Sequence, residues 1–152
     1  MAFRIRSDMQ KWFSEVAQTG PIKTTFDIYY FCLMAGLLSG RRSEHASTEF
    51  VNTFVDDYKP VQTLIMGLLI TAELKRLGID VTEKKRVREL ISKLFAPNTP
   101  TNLTDEGQRL LNSYASGGFD FISEERETKP YAVHEFLLDY PALIERAVEV
   151  AG

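Results

Sequence analysis

The stretch Thr24-Thr25-Phe26-Asp27-Ile28-Tyr29-Tyr30-Phe31-Cys32-Leu33-Met34-Ala35-Gly36-Leu37-Leu38 is the most apolar run in the chain. Its punctuation predicts one helix. Thr24 or Thr25 can serve as N-cap, Asp27 falls in the first turn where the macrodipole favours an anion, and Gly40 stands where a left-handed C-cap is expected. Apolar residues occupy nearly every face, so this helix belongs at the centre of the fold or at a subunit interface.

Upstream, Phe3-Arg4-Ile5-Arg6 alternates apolar and basic residues, the period of a short strand that would carry Arg4 and Arg6 on one side. Ser7 and Gln10 have the spacing of a capping box, and Met9, Trp12, Phe13, Val16 and Ala17 form an apolar helical stripe closed by Gly20-Pro21. Downstream, Phe50, Val51, Phe54, Val55 and Tyr58 share one face of a predicted short helix. Pro60 fits the first turn of a helix reaching Leu77 and stopped by Gly78, with Gly67 marking close approach of another helix. Thr82 is the expected cap of the next helix, where Val87, Leu90, Ile91, Leu94 and Phe95 oppose Lys84, Lys85, Arg88 and Lys93.

Thr104 caps a helix burying Leu110, Leu111 and Tyr114, and Gly117-Gly118 is expected to break it, with Phe119, Phe121 and Ile122 folding back onto the core. A charged loop over residues 123–129 precedes a last segment, helical over 133–138, interrupted by Pro141, and helical again to about Val150. The expected fold is an all-α, compact multi-helix domain with a short N-terminal extended segment. Residues 1–122 form its helical core, and residues 123–152 an acidic C-terminal helical extension of the same domain.

The 152 residues suit one domain that buries roughly two-thirds of its unfolded surface, and 44% hydrophobic with 26% charged residues argues against disorder. Cys32 is the only cysteine, which excludes an intrachain disulfide and makes a reducing cytoplasm the simplest setting. No apolar h-region follows Arg6, so no signal peptide is expected. The apolar runs at 26–38 and 61–74 fall short of the roughly 20 residues of a membrane span. The formal charge of −3 is uneven: residues 1–42 hold six basic and three acidic groups, residues 120–152 three basic and eight acidic.

Tests for catalytic chemistry come back empty. His45 and His134 lack metal-ligand spacing, Cys32 lies in an apolar run without an activating charge, and neither a P-loop nor a dinucleotide fingerprint is present. The expectation is a non-enzyme without cofactor or metal. The basic groups are the functional lead: Arg4 and Arg6 on the extended segment, and Lys84, Lys85 and Arg88 on one helix face near its N-terminus, where the macrodipole opposes them. Cations so placed are candidate phosphate contacts.

An order of features carries a resemblance: Arg4-Ile5-Arg6, Trp12-Phe13, Thr19-Gly20, Phe26-Asp27-Ile28-Tyr29-Tyr30-Phe31-Cys32, then Leu74-Lys75-Arg76-Leu77-Gly78, Thr82-Glu83-Lys84-Lys85 and Gly117-Gly118-Phe119. In outline, over residues 3–122, the chain resembles the DndE family, small helical components of bacterial DNA phosphorothioation systems. Its strand-helix-helix opening is also similar to ribbon-helix-helix proteins. The resemblance implies a compact homo-oligomer without catalysis, associated with DNA or a larger DNA-processing protein complex in bacterial or phage defence. The greater length and net acidity leave the alternative of a helical adaptor or oligomeric scaffold without nucleic-acid contact. In the DNA-binding reading, Glu124, Glu125 and Glu127 would shield the basic face.

Overall fold

The computed structural model describes residues 2–45 and 47–152. The described residues form six α-helices and one two-stranded ribbon. The apolar run is helix α2, Thr25–Ser39; the others are α1 (Ser7–Trp12), α3 (Gln62–Leu77), α4 (Lys84–Leu94), α5 (Asp105–Arg126) and α6 (Val133–Ala151). Strand β1 (Phe3–Ile5) pairs antiparallel with β2 (Thr48–Val51). The mostly helical fold class and the extended start are therefore as the sequence implies.

Helix α2 is a wall between two cores. Phe26, Tyr29, Leu33 and Leu37, spaced by three and four, join α3, α4 and the first half of α5; Ile28, Cys32 and Ala35 join α1, α6 and the second half of α5. Its apolar faces are thus largely covered within one chain, with Tyr30, Phe31, Met34 and Leu38 half-buried. The ends are set as the residues dictate: Thr24 accepts from the Asp27 N–H at 3.3 Å, Asp27 accepts from the Thr24 N–H at 2.8 Å, and Gly40 is left-handed with φ 77°. Burial works against the Asp27 carboxylate, but hydrogen bonds from Tyr58, Thr24 and Lys23 outweigh it and hold its pKa below the usual value.

Helices α2 and α5 cross at glycines. A Cβ on Gly36 would lie 1.8 Å from the Tyr114 carbonyl oxygen, and one on Gly118 would lie 1.7 Å from that of Cys32. Gly117 is similarly closed, 2.4 Å from the Arg41 carbonyl oxygen. Gly117-Gly118 therefore does not break the helix: α5 runs unbroken through it, with Phe119, Phe121 and Ile122 buried on the same helix. Gly67, expected at a close approach, instead meets nothing within 4 Å.

Other local expectations are corrected by tertiary contacts. No side chain caps α1, whose flanking residue is Arg6, and the helix ends at Trp12; turns carry Phe13 and Val16 into the same core. Residues 48–51 are strand rather than helix, because β1 is too short to stand unpaired. The pairing skips Phe50, whose ring packs on Phe26 and Tyr29 at 6.1 and 5.6 Å. A 3-10 helix, Asp56–Val61, contains Pro60, and α3 starts after it. Thr82 does not cap α4; it donates to Asp80, while Glu83 accepts from the Asp80 N–H. Thr104 does cap α5, accepting from the Gly107 N–H at 3.1 Å.

The expected charged loop shrinks, since α5 continues to Arg126, and Pro141 lies inside a single α6. Phe136, Leu143 and Ala147 form one buried stripe across that proline, and Tyr140 donates to the Phe31 carbonyl at 2.7 Å. That burial outweighs the roughly 3 kcal/mol a proline costs inside a helix. The C-terminal segment is therefore an integral wall of the second core. Among the described residues, no helix is long and apolar enough to cross a membrane.

One buried group has no partner. Gln108 is 1% exposed, and neither amide atom meets a hydrogen-bonding group among the described residues. Replacing it with leucine should raise the unfolding free energy by about 1–2 kcal/mol, because the desolvated amide is removed at near-constant volume. Denaturant unfolding of Gln108→Leu tests this; a lower midpoint would show that the amide is satisfied.

Candidate functional site

Helix α4 is built from opposed stripes. Leu90 and Leu94 are buried, Val87 is half-buried, and Lys84, Lys85, Arg86 and Arg88 are exposed on the first two turns. Arg86 pairs with Glu83 at 3.1 Å, but among the described residues no carboxylate pairs with Lys84, Lys85 or Arg88. Lys84 and Arg88 are four residues apart, so like charges face each other at about 0.2–0.5 kcal/mol of repulsion. Lys84 and Lys85, in the first turn, also oppose the helix dipole, at about 0.3–1 kcal/mol each.

Arg4 and Arg6 belong to a different place. Both project from the side of β1 opposite Phe3 and Ile5, which are fully buried. Arg6 is 7% exposed, and its guanidinium binds Asp8 at 2.7 Å, Asp120 at 2.8 Å and the Ser116 hydroxyl at 3.1 Å, with the Phe119 ring centroid 5.0 Å away. Burial disfavours its charge, yet the hydrogen bonds to Asp8 and Asp120 outweigh it and raise its pKa above the ordinary value. The same hydrogen bond from Arg6 lowers the Asp8 pKa. Arg4 is half-buried, donating through Nε to the Ser47 hydroxyl at 3.1 Å and through Nη2 to the Ser47 carbonyl at 2.6 Å. Arg6 presents no open guanidinium to a duplex, and Arg4 has Nε and Nη2 engaged by Ser47, so the five expected cations divide into an exposed trio on α4 and a separate pair beside α5.

Neither Glu124 nor Glu125 covers either group. Glu124 makes a bidentate pair with Arg41, at the end of α2, and Glu125 lies 3.8 Å from Arg146 of α6. Shielding by these glutamates is thereby replaced by structural pairing.

No protein-family profile matches the chain, and no curated protein or solved structure matches it. The site rests on its own geometry.

Sequence reading missed one buried polar cluster. Glu73, 1% exposed, accepts from Tyr114 at 2.6 Å and from Arg76 twice at 2.8 Å. Burial opposes its charge, but hydrogen bonds from Arg76 and Tyr114 prevail and lower its pKa. A glutamate between Ala72 and Leu74 in an apolar helix was the available signal. Cys32 is fully buried, and burial pushes its thiol pKa up, so it is not a thiolate nucleophile.

Proposed function

We propose that the protein is a non-catalytic accessory protein that associates with DNA, or with a DNA-processing complex, through the exposed face of α4. The observation that carries this is the trio Lys84, Lys85 and Arg88: exposed, free of carboxylate partners among the described residues, and placed where like-charge repulsion and, for Lys84 and Lys85, the helix dipole disfavour them. Cations kept against local stability suit an external anion. The outline resemblance to the DndE family agrees with DNA as that anion, and a defence role follows from the same likeness.

Duplex binding should therefore fall steeply with salt. In Lys84→Gln/Lys85→Gln/Arg88→Gln, the slope of log affinity against log salt should flatten by about 2–3, near 0.9 for each lost phosphate contact. The triple variant should also melt no lower than the parent, since it loses only unfavourable charge. Fluorescence anisotropy across a salt series measures the first effect and thermal denaturation the second. An unchanged slope would remove α4 from the interface.

The competing reading is a protein-interaction adaptor without nucleic-acid contact. It draws on an apolar groove of about 460 Å³ between the end of α2, α3 and the C-terminus of α6, lined by Leu37, Leu38, Leu68, Ala72 and Val148. No duplex binding even at about 50 mM salt, where screening is weak, would favour it.

A further inference from the structure

Arg109, Asn112, Ser113 and Ser116 recur at i, i+3, i+4 and i+7, so one face of α5 is polar along the middle of the helix, which is otherwise core. Ser113 and Ser116 are buried there, where larger apolar side chains would have filled the space. Strand β1 lies against that face, with the Arg4 N–H donating to Asn112 Oδ1 at 3.2 Å and Arg6 reaching Ser116. The segment after α2 closes over it: the Ser43 N–H donates to the Ser113 carbonyl at 3.0 Å, and the Ser43 and Ser116 hydroxyls are 2.9 Å apart. Between these elements remains a cavity of about 180 Å³.

Three arginines and one carboxylate line the cavity, and the carboxylates that pair with Arg4 and Arg6 lie outside its lining. Asp8 and Asp120 neutralise Arg6, and neither lines the cavity. Arg4 directs Nε and Nη2 to Ser47, while its Nη1 has only Glu49 at 3.9 Å. Arg109 gives Nη1 to Glu44, the one carboxylate among the lining residues, leaving Nε and Nη2 without a partner among the described residues. His45 completes the rim.

We propose that this cavity binds a small tetrahedral oxyanion of the phosphate class, held by Arg4 and Arg109 with the serine hydroxyls around it. Glu44 then acts as an internal competitor: its carboxylate occupies the guanidinium edge that a phosphate oxygen would take, and entry of the ligand displaces it. Guanidinium forks match phosphate oxygens in geometry as well as charge. The space is far too small for a duplex, so this site is independent of the α4 reading.

The test is calorimetric and amide-shift titration of the full chain with inorganic phosphate, and separately with a nucleoside 5′-monophosphate. Saturable binding is expected, with shifts at Ser43, Ser47 and Ser113. Arg109→Gln should weaken it about tenfold or more, the loss of a charge-assisted hydrogen bond. Glu44→Gln should tighten it several-fold, an effect that no unfolding could imitate. The α4 triple variant should bind as the parent does. Tighter binding of the monophosphate than of the inorganic ion would identify a phosphomonoester as the ligand, and the reverse order the free ion. No saturable binding in the millimolar range, or binding unchanged in both Arg109→Gln and Glu44→Gln, would overturn the proposal.

Discussion

Replacing Gly118 with alanine should cost at least about 3 kcal/mol of unfolding free energy, a large part of the roughly 5–15 kcal/mol that holds a domain together. Its Cβ would stand 1.7 Å from the Cys32 carbonyl oxygen and 2.6 Å from the Gly36 nitrogen, both of them backbone atoms of α2. No rotamer change relieves such a contact. The two helices would have to part by roughly 1.5–2 Å to reach ordinary carbon contact distances. Both cores meet at this crossing, so widening it loosens the packing of Leu33 and Leu37 on one side and of Cys32 and Phe119 on the other. Gly67→Ala is the matched control. Gly67 also lies inside a helix but faces open space, and alanine there should stabilise by about 1 kcal/mol through propensity alone. Urea denaturation of the two variants gives opposite signs if close approach is the reason for Gly118, and a parental midpoint for Gly118→Ala would refute it.

Arg6→Met should be the second large loss, about 3–5 kcal/mol, because one cation removed from a buried network strands its partners. Asp120, with a side chain 22% exposed, loses the guanidinium that neutralises it, and the Ser116 carbonyl and hydroxyl lose donors. The methionine retains hydrophobic contact with Phe119, so the loss reports chiefly on charge and hydrogen bonding. The pH dependence has a definite sign. Asp8 titrates below its ordinary value in the folded protein, so its stabilisation is present above about pH 4 and disappears as pH falls through the folded pKa. The variant lacks that term, and protonation relieves its stranded Asp8. The gap in melting temperature should therefore narrow on acidification from pH 7 to below about pH 4. A constant gap would point to lost packing instead. Binding to duplex DNA by the folded fraction should be unaffected, which separates Arg6 from the α4 trio.

The chain by itself determined the elements whose signals are local. Thr24, Asp27 and Gly40 state both ends of α2, because capping groups act within a few residues of the backbone they satisfy. The same holds for Gly78 after α3 and Thr104 before α5. Exposure of Lys84, Lys85 and Arg88 was likewise readable, since the apolar stripe of α4 leaves them only the solvent side.

What tertiary structure alone decided is every position where a residue's meaning depends on a distant partner. Gly117-Gly118 and Gly67 are indistinguishable by propensity, yet Gly118 sits against α2, Gly117 against the segment that follows α2, and Gly67 against nothing. Residues 48–51 carry no stronger strand signal than helix signal; β1, over forty residues earlier, supplies the pairing. Arg4 and Arg6 read as free cations because Asp120, Ser116 and Ser47 lie far along the chain. Helical periodicity places a side chain on a face, but only the packing of α5 against β1 determines that this face holds a cavity and that Arg4, Arg6 and Arg109 line it.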